Sequence, residues 1–150
     1  TPMTKLVQAL LSGMFFTFLI DVFLFLGIKL HYIDYHSIDL YYNILFADHQ
    51  NIYIFSFFTI TLGFIITYLD NTKISIIVIG SLFLLASSTS IPPIGKRVGE
   101  IMFMKTNIIL KDKKHTYVGD SYYTGRKFIT FYDYELKKVI ILDKARLQNQ

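Results

Sequence analysis

At 150 residues, with 53% hydrophobic and only 17% charged side chains, the chain has room for one ordinary domain but the wrong balance for a water-soluble one. Its charge is divided: residues 1–95 carry Lys5, Lys29 and Lys73 against Asp21, Asp34, Asp39, Asp48 and Asp70, a net −2, whereas residues 96–150 carry twelve Lys or Arg against six acids, a net +6. With no cysteine, disulfides, thiolate metal sites and cysteine nucleophiles are excluded.

Three apolar runs, residues 6–28, 52–69 and 74–91, each approach the length needed to cross about 30 Å of hydrocarbon as a helix. They are rich in Ile, Phe and Thr, which favour strands in water. In lipid a helix satisfies its own backbone groups and an isolated strand does not, so the runs predict three transmembrane helices. The first is too long for a signal-peptide core and lacks a small-residue cleavage site, so it reads as a retained span. Gly13, Thr17 and Asp21 share one of its faces at four-residue spacing. A carboxylate inside such a run has to be protonated, paired or wetted, so Asp21 should face protein or a cavity. Its expected roles are a relay for a proton or cation, a contact to a partner subunit, or a hydrogen bond to the Ser87–Ser90 stretch.

Between the first two spans, "HYIDYHSID" places His31, Asp34, His36 and Asp39 as two H-x-x-D copies. Imidazole and carboxylate ligands suit zinc or manganese. No regular element gathers all four, however, because five residues swing well round a helix and alternate residues of a strand face opposite ways. Tyr32, Tyr35, Tyr41, Tyr42 and Tyr53 match an aromatic belt, so residues 31–50 read first as a solvated interfacial loop, with a short interfacial helix over 38–47.

In the second span Ser56, Thr59, Gly63 and Thr67 share a face; in the third, Gly80 and Ser87 repeat after seven residues. Small and hydroxyl residues let membrane helices approach closely, so both faces are expected to pack. The short turn at 70–73 should fold the two spans into an antiparallel hairpin. Pro92-Pro93 then ends the third span, because proline disfavours helix in the residue before it.

Lys96, Arg97 and Lys105 form the richest positive flank, which assigns the C-terminal part to the cytoplasmic side of the cell's inner membrane and the three residues to lipid headgroups. From Thr106 onward, period-two runs separated by turn chemistry predict four or five antiparallel strands in a basic β domain over residues 96–150, an SH3-like barrel or a meander. In it Phe128, Thr130 and Tyr132 share one face and Ile129 and Phe131 the other. "FITF" matches the end of an aromatic RNA-binding strand, but the inner glycine is replaced by Lys127-Phe128 and the accompanying helices have no room; nucleic acid is disfavoured as a partner.

No nucleophile elbow, phosphate-cradling glycine loop or zinc-protease motif occurs, and no cofactor motif is visible. The expectation is a multi-pass, non-catalytic subunit or assembly factor of a larger membrane complex, in contact with lipids and other membrane subunits. The alternative is a homo-oligomeric channel or transport subunit with Asp21 lining the path.

Overall fold

The computed structural model describes residues 1–148. A helical N-terminal region is followed by one antiparallel sheet. Helix α1, Pro2–Ile28, begins with Pro2 in its first turn, where a missing N–H does no harm, and with the Thr1 hydroxyl accepting from the Thr4 N–H at 3.2 Å. It runs on into a π-helical turn, Lys29–Ile33, so that the continuous helix reaches Ile33. The extra residue per turn rotates the chain enough that the consecutive side chains Tyr32 and Ile33 are both fully buried.

Helix α2, Tyr42–Asp48, meets α3, Ile52–Thr67, at 87°. Asn51 makes the corner: its side-chain oxygen accepts from the N–H groups of Tyr53 and Ile54 at 2.9 and 3.2 Å, which starts α3. Asn71 caps α4, Thr72–Ser87, in the same way through Ile74. The turn between α3 and α4 is completed by Asp70 at φ 47°, and there Lys5 lies 4.9 Å from the Tyr68 ring centre. The chain start and the α3–α4 turn therefore occupy one end of the bundle. Two helices are long and apolar enough to cross a membrane, Pro2–Ile33 and Thr72–Ser90, and a third span is present if α2 and α3 count as one broken span.

Helices α3 and α4 are joined by a short turn, but each packs more on α1 than on the other, so α1 is the central element. Close approach on that seam is set by glycine: a Cβ on Gly13 would strike the Thr59 carbonyl, and one on Gly63 would strike the Ala9 carbonyl.

Pro92-Pro93 does not simply end the third span. After a 3₁₀ turn at Ser88–Ser90, Ile91 is extended and Pro92 opens a new helix, α5, Pro92–Phe103. Proline at the first helical position loses nothing, so the same residue stops one helix and starts another. The boundary expected at residue 96 thus falls inside α5, and the sheet begins at Lys105.

Strands β1 (Lys105–Lys111), β2 (Thr116–Thr124), β3 (Phe128–Asp133) and β4 (Lys138–Asp143) pair in the order 1-2-3-4, a meander. Gly119-Asp120 lies in the middle of β2. Gly119 lets the β3 backbone close in, since a Cβ there would meet the Tyr132 carbonyl oxygen. Residues 134–137 form the β3–β4 turn, with the Asp133 carboxylate accepting from the N–H groups of Glu135 and Leu136 at 2.8 and 3.0 Å. The predicted face alternation in β3 holds: Ile129 and Phe131 are buried together with Leu142 of β4 against Leu110 and Leu147. The sheet is open, not an SH3-like barrel. Asp143 caps a 3₁₀ turn, Lys144–Arg146, that ends β4, and the following chain makes a single bridge from Gln148 to Lys111 instead of a fifth strand.

The larger core lies where helices meet sheet. Phe25, Ile28, Tyr32, Ile33, Ile38 and Leu45 from the helical part enclose Tyr123 of β2, with Val98, Phe103 and Tyr122 packed around them.

Candidate functional site

Within the bundle, Ala9, Gly13 and Thr17 are buried along one α1 face against Thr59, Leu62 and Gly63 of α3. One turn further on, at Asp21, α3 presents Phe55 and Phe58. A cavity of about 200 Å³ opens there, lined by Thr17, Ile20, Asp21 and Leu24 of α1, Ile54, Phe55, Phe58 and Leu62 of α3, and Leu82 of α4. Asp21 takes part in none of the ion pairs among the described residues. The expected bond to the Ser87–Ser90 stretch is not made, since Ser88 donates to Leu85 O at 2.5 Å and Thr89 to Ala86 O at 2.9 Å and Leu24 O at 3.0 Å. Thr17 and Thr59 are 4% and 5% exposed, and their hydroxyl oxygens have no hydrogen-bond partner. Ser56 and Thr67 lie half-buried beside this seam.

The second packing face behaves differently. Nothing lies within 4 Å of a Cβ placed on Gly80, and Gly80, Ser81 and Ser87 line an open groove of about 500 Å³ with Ile76, Ile77 and Leu84. The expectation that this face packs is not met within the chain.

The helix–sheet junction is a third site, and it disperses the four H-x-x-D residues. His31 Nε2 meets the Ser90 carbonyl at 2.8 Å, Asp34 pairs with Lys29, Asp39 is exposed, and His36 is packed among tyrosines. No group of three or more metal-competent side chains forms among the described residues, because the π turn and the irregular segment after it send the four in different directions. The His36 ring centre lies 4.2 Å from that of Tyr122, tilted by 37°, and its Nε2 is buried without a partner. Burial lowers the His36 pKa, as does the Lys96 ammonium, against an opposing pull from Glu100.

A β-bulge between Ser121 and Tyr123 makes the junction. Successive strand residues normally face opposite ways, and a bulge re-aims them. Here both tyrosines meet helices: Tyr32 donates its hydroxyl to Tyr122 O, and the Tyr123 hydroxyl meets His49 Nε2 at 2.7 Å while its ring packs on Phe103. Burial lowers the His49 pKa against the nearby Asp48 carboxylate, and burial pushes Tyr123 up to about 12. Arg126, in the β2–β3 turn, grips Asp48 at the end of α2 with Nε 2.9 Å from each carboxylate oxygen. Gly27 and Gly95 close on Thr89, and Gly99 on the Tyr32 ring. Nothing in the sequence marks Thr89 or Tyr123 as a site residue, and Tyr32 is legible there only as part of the aromatic belt. Their partners lie 65 to 90 residues away for Thr89 and Tyr32, beyond the reach of any local period.

Of the basic flank, Lys96 lies 4.2 Å from the Tyr35 ring centre, Arg97 pairs with Glu100 at 3.3 Å, and Lys105 opens β1 opposite Ser121. Arg97 and Lys105 are exposed on the sheet side of the bundle. Comparison with known protein families, curated proteins and solved structures finds no match for this chain.

Proposed function

We propose that the protein is a non-catalytic, three-span subunit or assembly factor of a larger complex in the cell's inner membrane, docking through the outer face of α4. The observation that carries this reading is the contrast at Gly80. Gly13, Gly27, Gly63, Gly95 and Gly99 each sit where a neighbour in the same chain fills the space of a side chain, and Gly80 alone among the helical glycines faces open space. Close helix approach in lipid selects small residues, and a partner helix seated along Gly80, Ser81 and Ser87 would give this stretch the same purpose. The Tyr32, Tyr123 and Arg126 contacts hold the basic sheet on the bundle, and Lys96, Arg97 and Lys105 then face anionic headgroups on the cytoplasmic side.

A photo-cross-linker placed at position 84, exposed in the same groove as Gly80, tests the docking face in native membranes, with position 57 on α3, which is exposed on a different helix, as control. The expected result is a discrete protein adduct from position 84 and none from position 57. Lipid adducts alone at both positions would refute the reading, and an adduct of twice the chain mass would identify the partner as a second copy. A reporter fused after Gln150 tests the cytoplasmic placement. The channel reading has less behind it: the Asp21 cavity offers an ion one carboxylate and one hydroxyl between apolar walls, too few oxygens to replace a hydration shell.

A further inference from the structure

We propose that the cavity at Asp21 is a binding site for a small lipophilic amine, a primary ammonium group carried on an apolar body of about six carbons. The polar end of the cavity is built for donors. Asp21 supplies two acceptor oxygens and Thr17, 4% exposed and with its hydroxyl oxygen unpartnered, supplies a third acceptor. A primary ammonium has three N–H donors and no acceptor, which matches that set. The rest of the lining is apolar, with Phe55 and Phe58 on the α3 wall, and aromatic rings accept both alkyl groups and a cation.

A cation for Asp21 would come from outside the chain. Lys29, in the π-helical turn that follows α1, lies two turns beyond Asp21 and is engaged with Asp34. Lys5 is at the other end of the helix against Tyr68. An unpaired carboxylate among hydrocarbon groups is costly, and a bound cation removes most of that cost.

Size and wall chemistry separate this ligand from its rivals. The cavity is about 200 Å³, larger than the roughly 150 Å³ apolar cavity known to hold benzene in another protein. Water filling it would find hydrogen-bond partners at one end only, whereas each buried water needs two to four. A bare sodium ion would be left short of ligands, since the remaining wall offers no side-chain oxygen.

The test is binding of hexylammonium to the purified full-length protein in detergent, read by calorimetry at neutral pH, with hexanol and sodium chloride as comparators. Hexylammonium should bind at least tenfold more tightly than hexanol, and Asp21→Asn, nearly isosteric, should reduce its affinity at least tenfold. Thr17→Val should weaken it severalfold by removing the third acceptor while preserving shape. Equal affinity for hexylammonium and hexanol would overturn the proposal, as would unchanged affinity in Asp21→Asn. Competitive displacement of hexylammonium by sodium at constant ionic strength would also overturn it by making the site one for an inorganic cation. Because the wild-type comparison of hexylammonium with hexanol needs no variant, poor folding of a mutant leaves the decision intact. The outcome is independent of whether α4 has a partner.

Discussion

Gly13 on α1 and Gly80 on α4 both sit in apolar helices with a hydroxyl residue four or seven positions on, yet a side chain at the first would strike the Thr59 backbone and at the second would meet nothing within 4 Å. The spacing of small residues marks where another helix can come close. It does not say whether that helix belongs to the same chain. On α1 the partner is α3, and the cavity at Asp21, with Phe55 and Phe58 on its α3 wall, lies just beyond that close contact. On α4 the face is left open, and the three-span subunit reading rests on that difference.

The largest effect available is a large residue at Gly13. Gly13→Leu should destabilise the detergent-solubilised protein by about 3 kcal/mol, because the α3 backbone, not a flexible side-chain tip, occupies the space. Gly80→Leu should shift stability by no more than about 0.5 kcal/mol while abolishing the cross-link from position 84. Thermal unfolding of both variants checks the pair. If Gly80→Leu proved as damaging as Gly13→Leu, the α4 face would be packed within the chain and the comparison would fail.

The three apolar runs were legible because lipid demands length and apolarity, which hydropathy records directly. The face alternation in β3 was legible from its period, whereas the Asn71 cap starts α4 at Thr72, two residues before the apolar run that begins at 74. Helix α5 was hidden because proline carries two opposite meanings, a stop for the residue before it and a permitted start for its own helix. The open sheet edge was hidden because a strand pattern does not state whether its last member returns to its first. The junction was hidden for a different reason: Tyr32 with Tyr122, and His49 with Tyr123, are long-range pairs assembled by a π turn and a bulge.

That junction supplies the next effect. Tyr32→Phe keeps the ring over Gly99 but leaves Tyr122 O without its donor in a largely buried setting, so it should cost about 1–2 kcal/mol. Hydrogen exchange should quicken at Tyr122 and Tyr123 before it does at the Gly13 seam. Simultaneous loosening of both would mean that sheet and bundle unfold as one unit.

Acid should weaken the same junction. His36 and His49 have folded-state pKa values below the ordinary 6.5, chiefly through burial. Below 6.5 the unfolded chain therefore binds protons that the folded chain refuses, and stability falls with pH until the folded values are passed. Above 6.5 both states hold the rings neutral and the contribution is flat. Replacing His36 and His49 together by Gln should remove much of the acid loss in unfolding scans across this window; an unaltered slope would place the sensitive groups elsewhere.

The Arg126–Asp48 pair should matter least, although its geometry is the most complete of the ion pairs. Asp48 is held below the usual carboxylate range by the guanidinium, but both groups are reached by water, and exposed pairs give back in solvation and side-chain entropy most of what they gain. Arg126→Gln should therefore lower the unfolding temperature less than Tyr32→Phe does, and the deficit should shrink further as salt is raised, because exposed charges are screened over about 10 Å at 0.1 M. A loss larger than that of Tyr32→Phe, and insensitive to salt, would show that the sheet is held to the bundle by the guanidinium fork at its rim and not by the buried tyrosines. The junction would then be a surface clamp that ionic strength cannot loosen, with Arg126 ranking above Tyr32 in what keeps β2 against the helices.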